Sequence, residues 1–275
     1  AGARDAVDEA EAAIGAPASL PWSQLLRRDA TAAQDPLLRD LLALSERPDI
    51  LSLAVGLPAP DLLPLAAVRA AYDRVLGDLG PAAFLHSPTE GVTSLREALA
   101  GLMAARGAPC DASELMITSG SQQALDLVAR VLIEPGDAVV VEEPSFFGAL
   151  QAFRRAGARL LGVPSDADGL RVDLLGDLLE RHRPKLIYTL PTYQNPSGSV
   201  LAPARRERLL ALAARHQVPI VEDDPYSDLG YDGPPVPPLK ALDRAGQVVY
   251  LSSFSKTLFP GLRLGWVAAP AVLIR

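Results

Sequence analysis

Lysine is scarce in this chain: Lys185, Lys240 and Lys256 are the only three, so chemistry that needs a primary amine has a short list of candidates. Lys256 stands apart from the other two. It closes the stretch Ser253-Phe254-Ser255-Lys256 and is followed by Pro260-Gly261-Leu262-Arg263. Small hydroxyl residues beside a lysine, with a guanidinium shortly after, suit an anionic phosphate held next to an aldehyde-binding amine. Ser253, Ser255 and Arg263 would take phosphate oxygens through charge-assisted hydrogen bonds, and the amine would condense with the carbonyl carbon. Taken alone, the stretch also reads as a surface lysine beside serines.

Four other stretches offer chemistry that such an amine would need. Asp223 precedes Tyr226 by three residues and follows the apolar pair Ile220-Val221. A carboxylate there can pair with a protonated ring nitrogen and so make the ring an electron sink, and Tyr226 could reach a ring hydroxyl. The same residues also read as an acidic turn. Asn195-Pro196-Ser197-Gly198 is turn-like, and Asn195 could donate to the same ring oxygen. Ser119-Gly120-Ser121-Gln122-Gln123 opens a predicted helix, whose first-turn amides attract phosphate unless the serine is merely a cap. Phe146, after Glu143-Pro144-Ser145, could stack on an aromatic ring or fill the core.

Other chemistries are excluded by spacing. No two glycines are separated by one residue, so the dinucleotide fingerprint is absent, and no lysine follows a glycine, so there is no nucleotide phosphate loop. His86, His182 and His216 lie far apart and lack zinc-ligand spacing. No G-x-S-x-G elbow occurs.

The elements that must position these residues alternate in type. Helices are predicted over 65–78, 93–106, 121–133, 146–156, 172–182 and 203–216. Apolar strand runs lie between and after them, at Leu115–Thr118, Ala138–Val141, Arg159–Val163, Leu186–Leu190, Pro219–Val221, Val248–Leu251 and Leu264–Ala268. This alternation predicts an α/β domain with a largely parallel sheet. In such sheets ligands bind beyond the carboxyl ends of the strands, and every stretch named above follows an apolar run. A polar arm with a short helix around Asp5–Ile14, and an amphipathic helix over Asp35–Arg47, are expected upstream.

Composition fits this picture. The 275 residues are 49% apolar and 21% charged, as in a globular protein, and can bury a large core. The net charge of −7 argues against nucleic-acid binding through this segment. No apolar run is long enough to cross a bilayer, the first residues lack a signal-peptide pattern, and the single Cys110 excludes an internal disulfide. These features together point to the cytoplasm.

In order and spacing, the quoted stretches resemble the fold-type I pyridoxal-5′-phosphate (PLP) enzymes of the class I/II aminotransferase group. Ile50-Leu51-Ser52-Leu53-Ala54-Val55-Gly56-Leu57-Pro58, Ser87-Pro88-Thr89-Glu90-Gly91 and Leu264-Gly265-Trp266 add to the likeness. Within the group the chain is similar to 2-aminoadipate-type aminotransferases and to the aminotransferase-like effector domains of MocR/GntR-type transcription regulators. The resemblance implies a PLP-dependent transferase fold, with a mostly parallel sheet flanked by helices. Residues 1–64 would form an N-terminal arm and the start of a small domain, and residues 65–275 the large PLP-binding domain. The C-terminal small domain, with the late arginine that clamps the substrate carboxylate, is expected to be missing from the chain, which would then bind PLP weakly, if at all, and show no measurable turnover.

The resemblance also implies roles. Lys256 would bond covalently to PLP and move the proton, Asp223 would pair the pyridine nitrogen, Tyr226 and Asn195 would bond the ring oxygen, and Phe146 would stack on the ring. Ser121, Gln122, Ser253, Ser255 and Arg263 would hold the phosphate, and Gly56 and Asn195 would meet the substrate. His86 stands where the family usually has a tyrosine that reaches the partner subunit's cofactor. The implied activity is amino-group transfer between an α-amino acid and a 2-oxo acid in a homodimer. The alternative is a PLP-binding sensor domain behind a DNA-binding domain.

Overall fold

Runs of valine, isoleucine and leucine too short for helices make the strands here, because branched side chains fit a pleated surface buried on both faces. The computed structural model describes residues 20–26, 43–44, 47, 49–51, 56–231 and 233–275. The helix expected around Asp5–Ile14 lies outside the described residues, as does most of Asp35–Arg47. The chain divides into two compact units, Ala1–Ile50 and Leu51–Arg275. The first contains the short helix α1 (Trp22–Leu25).

The second unit carries strands β1 (Leu115–Thr118), β2 (Ala138–Glu143), β3 (Arg159–Asp166), β4 (Gly169–Leu170), β5 (Leu186–Thr189), β6 (Ile220–Asp223), β7 (Val248–Ser253) and β8 (Gly265–Ala268). Its helices are α2 (Leu65–Leu79), α3 (Thr93–Ala105), α4 (Ser121–Leu132), α5 (Phe147–Arg155), α6 (Leu175–His182), α7 (Pro203–His216), α8 (Leu239–Leu242) and α9 (Ala271–Ile274). The predicted helices and strands fall on these elements. The two-residue β4 and the short α8 and α9 were not expected.

Among the described residues the strands form one sheet in the order β1-β8-β7-β6-β5-β2-β3-β4. The pairs β2–β3, β2–β5, β5–β6 and β6–β7 are parallel, whereas β8 runs antiparallel to both β1 and β7. β1 therefore points the same way as β7. In consequence the carboxyl ends of β1, β2, β5, β6 and β7, and the first residue of β8, share one edge. Gly265 opposes Thr118 on one side and Ser253 on the other.

Alternate strand residues feed two cores. Val139, Val141, Val221 and Val249 pack with α4, α5 and α9, where Leu125 and Phe153 are fully buried. Val140, Ile187, Ile220 and Val248 pack on the other face against α6, α7 and α8. A third cluster joins Leu99 and Met103 of α3 to Tyr250 and Trp266. Covering both faces makes the sheet rigid, so the loops at its carboxyl edge are presented in fixed positions.

Candidate functional site

The first corner of the site is built by glycines. Gly120 adopts φ +86 and caps α4, so the first-turn amides of Ser121 and its neighbours open at the sheet edge. A Cβ on Gly265 would lie 2.8 Å from the Gly120 carbonyl carbon and 2.9 Å from the Ser121 nitrogen, so only glycine lets β8 pass this close to the helix start. A Cβ on Gly120 would lie 2.6 Å from Nη2 of Arg263. That guanidinium donates to the Ser119 carbonyl at 2.9 Å. Ser253 Oγ sits 2.8 Å from Ser255 Oγ and accepts from the Ser255 amide at 3.1 Å. Gln122 Nε2 donates to the Gly148 carbonyl at 3.0 Å, and a Cβ on Gly148 would run into both Gln122 and the Phe146 ring. Ser121, Ser253, Ser255 and Arg263 thus converge at a positive helix end, with Gln122 bridging toward Phe146.

The second corner is acidic. Asp223 ends β6 and is 1% exposed. Its Oδ2 accepts from the Tyr188 hydroxyl at 2.9 Å, while its Oδ1 is buried without a hydrogen-bond partner. Burial pushes its carboxyl up to about 7, against the Tyr188 hydrogen bond, with Asp224 adding a like charge. Asp224 faces the other way, accepting from the Tyr250 hydroxyl at 2.8 Å. Asn195 Nδ2 donates to the Tyr226 hydroxyl at 3.2 Å, which links the loops after β5 and β6. Burial raises the Tyr226 phenol above its ordinary value.

Lys256 lies just past the end of β7. Its Nζ donates to the Gly56 carbonyl at 2.8 Å, and partial burial lowers its pKa. Gly56 has φ +55, a conformation that favours glycine. Lys185 lies just before β5, at the opposite edge of the sheet, and Lys240 donates to the Val248 carbonyl at 2.9 Å near the start of β7. His86 is exposed.

Three buried polar groups that support the site were not singled out from the sequence: Tyr188, Glu142 and Arg206. Glu142 is held by Thr189, Leu190 and Gln194. Burial raises its carboxyl to about 7. Arg206, fully buried in α7, donates to the Pro191 carbonyl at 2.6 Å and the Thr192 hydroxyl at 2.9 Å. No sequence pattern marks them, because each is an ordinary polar residue at the end of an apolar run or on an amphipathic helix.

The arrangement fits a phosphate-bearing aromatic ring with a protonated nitrogen. Asp223 offers a buried oxygen with nothing to accept from, Gly120 and Gly265 keep the start of α4 open beside β8, and the Lys256 amine follows the end of β7. Among the described residues no group of side chains could hold a metal ion, and no helix is long and apolar enough to cross a membrane.

Comparison with known proteins agrees with this geometry. The chain belongs to the aminotransferase class I and II family, whose model matches residues 48–275. It is 43% identical to aromatic-amino-acid aminotransferase 1 of Thermococcus litoralis, over 94% of this chain and 63% of the relative. An uncharacterized HTH-type transcriptional regulator of Bacillus subtilis is 34% identical, over 93% of this chain and 52% of the regulator. The crystal structure of α-aminoadipate aminotransferase from Thermus thermophilus, complexed with N-(5′-phosphopyridoxyl)-L-leucine, superimposes with a TM-score of 0.84 at 39% identity, covering 93% of this chain and 65% of that one. The fold is therefore that of fold-type I aminotransferases, and the chain spans less than two thirds of the length of these relatives.

Proposed function

We propose that this chain is the cofactor-binding part of a PLP-dependent aminotransferase that moves an amino group between an α-amino acid and a 2-oxo acid. The observation that carries the reading is the unpartnered, buried Oδ1 of Asp223, on the strand next to the one that delivers Lys256. Bound PLP would supply an electron-withdrawing ring that stabilises negative charge on the carbon that loses its proton.

The remaining work falls to the chain. Asp223 would hold the proton on the ring nitrogen, Asn195 and Tyr226 would donate to the ring oxygen, and Phe146 would press on the ring face. Ser121, Gln122, Ser253, Ser255 and Arg263 would anchor the phosphate. The Lys256 amine, its pKa lowered by burial, would bond the cofactor at rest and, freed when the substrate amine takes its place, would take up and return the substrate proton as a general base and acid. The Gly56 carbonyl orients that amine, and Gly56 and Asn195 would border the substrate. The whole protein would act as a homodimer. Exposed apolar residues in the second unit, such as Tyr72, Leu79 and Phe84, suit a subunit interface.

The same cradle would serve a PLP-sensing domain of a transcription regulator. The higher identity to the aromatic-amino-acid aminotransferase, 43% against 34% for the regulator, favours the enzyme. Borohydride reduction in the presence of PLP, followed by peptide mapping, tests the site: a pyridoxyl label on Lys256 is expected, and a label on Lys185 or Lys240 overturns the assignment. Amino-group transfer to 2-oxoglutarate from a panel of amino acids tests the activity. A full-length protein that is labelled on Lys256 yet shows no turnover would favour the sensor.

A further inference from the structure

A carboxylate 3% exposed, placed in a strand between two others, needs a reason. Glu142 is that carboxylate. It follows Val141, the last β2 residue paired with β5, at the level where β5 ends in Thr189 and the chain leaves the ladder. Leu190 has no strand neighbour for its amide there, and it donates instead to Glu142 Oε2 at 3.0 Å. The Thr189 hydroxyl donates to Oε1 at 2.9 Å. The third donor is Gln194 Nε2, at 3.2 Å from Oε2.

Gln194 uses the rest of its amide to shape the next residues. Nε2 also donates to the Pro144 carbonyl at 2.7 Å. Oε1 accepts from the Ser197 amide at 2.8 Å and the Ser197 hydroxyl at 2.7 Å. Its backbone amide donates to the Ser199 carbonyl at 2.9 Å, and its carbonyl accepts from the Gly198 amide at 2.6 Å. Every donor and acceptor of the side-chain amide is thereby used. Asn195 is the residue immediately inside the ring that these bonds close. The bond to Pro144 ties the same ring to the segment that leads into Phe146.

We propose that Glu142 and Gln194 are positioning residues for Asn195: the buried carboxylate holds Gln194, and Gln194 fixes the loop at the height where the Asn195 amide meets the Tyr226 hydroxyl. The inference rests on the reading of Asn195 and Tyr226 as donors to the ring oxygen. It requires hydrogen-bond acceptors at Glu142 rather than charge. In a glutamine at 142 the amide oxygen would accept from Leu190 and Gln194, and the amide nitrogen would face the Thr189 hydroxyl, which can turn to accept. An alanine would leave all three donors without a partner.

The test uses the full-length protein loaded with PLP. The pH titration of the bound cofactor's absorbance, its dissociation constant and the thermal melt are measured for wild type, Glu142→Gln, Glu142→Ala, Gln194→Ala and Asn195→Ala. A donor to the ring oxygen favours the more negative form, so losing it raises the titration midpoint. Asn195→Ala is expected to move the midpoint up by about one unit, a tenfold change. Glu142→Ala and Gln194→Ala should reproduce at least half of that shift, and Glu142→Gln should titrate like wild type. Variants at 142 and 194 that melt earlier yet keep the wild-type midpoint, while Asn195→Ala shifts, would overturn the inference and leave the cofactor reading intact. If Glu142→Ala does not fold, Gln194→Ala decides alone. A wild-type protein with no titrating bound cofactor would overturn the cofactor reading itself.

Discussion

The Tyr188 hydroxyl donates a 2.9 Å hydrogen bond to Oδ2 of Asp223, while the other oxygen of that carboxylate is buried and unpartnered. One oxygen is committed to the fold and the other is left for whatever enters at the sheet edge. Tyr188 is itself held edge-on by Phe153, with ring centroids 5.3 Å apart, so the hydroxyl has a fixed place. Its hydrogen bond favours the ionised carboxylate, which burial and Asp224 disfavour.

Tyr188→Phe keeps the ring and removes only the donor. It should push the Asp223 carboxyl higher still and weaken the pairing with a ring nitrogen. PLP affinity is expected to fall about tenfold, and stability at neutral pH by about 1–2 kcal/mol, because a buried acceptor is left unmet. Fluorescence titration with PLP and urea unfolding measure the two effects. Unchanged affinity would show that Asp223 is not the partner of the ring nitrogen.

Three buried carboxyls give the cofactor-free protein a pH signature. Burial lifts Asp223 to about 7 from 3.8, Glu142 to about 7 from 4.5 and Glu222 to about 8 from 4.5. Each folded-state pKa is raised, so the folded protein binds more protons than the unfolded chain between the two values. The stability from these groups is full below their unfolded pKa values and is lost as pH rises through about 7 to 8. Urea midpoints should therefore be higher at about pH 5.5 than at about pH 8. Asp223→Asn should flatten part of that slope. PLP should flatten the same part, since it supplies the ionised Asp223 with a partner. A slope that Asp223→Asn leaves untouched would place the titration elsewhere.

Legibility from sequence followed hydrophobicity closely. The apolar runs gave the strands, and the polar stretches behind them lie at one edge of the sheet. Charge at strand ends was less readable: β6 extends through Glu222 to Asp223, where the apolar run stops at Val221. Arg206 reads as a surface residue of an amphipathic helix yet is fully buried, because the loop carbonyls it satisfies come from distant sequence. The antiparallel direction of β8 follows from the short connection before it. The connection from Ser253 to Gly265 contains no full helix, and a parallel crossover needs a dozen or more residues, usually helical.

Gly265→Ala should act on the phosphate corner without touching a polar group. The added methyl would meet backbone atoms of Gly120 and Ser121 at 2.8–2.9 Å, which cannot turn away as a side chain would. β8 and the start of α4 must separate, at a cost of about 1–3 kcal/mol. PLP affinity should fall more than affinity for pyridoxal, which lacks the phosphate. Equal losses for both ligands would mean that the corner does not hold a phosphate.

Asp223 and Asp224 are neighbours with opposite duties, and alanine at each should separate them. Asp224 Oδ2 accepts from the Tyr250 hydroxyl, whose oxygen in turn accepts from Arg106 Nη1 at 2.7 Å. Its Oδ1 accepts from the Ser227 amide at 3.2 Å, and its carbonyl accepts from the Ser252 hydroxyl at 2.6 Å. These bonds fix the turn that carries Tyr226. Asp224→Ala should cost about 2–4 kcal/mol by stranding Tyr250 and the Ser227 amide, a fall in melting temperature of roughly 4–16 °C for a unit of this size. It should leave most of the proton transfer in protein that remains folded. Asp223→Ala removes a carboxylate that burial already disfavours but strands the Tyr188 hydroxyl, so at about pH 8 the cofactor-free melt should fall less than that of Asp224→Ala. The same change takes away the acceptor for the ring nitrogen, and proton transfer at the substrate carbon should fall at least a hundredfold, roughly 2.7 kcal/mol of transition-state stabilisation. Single-turnover kinetics with an amino acid, read beside the two melts, decides the matter. If Asp224→Ala abolishes proton transfer while Asp223→Ala spares it, the carboxylate facing the cofactor is Asp224, and the roles assigned to the two residues must be exchanged.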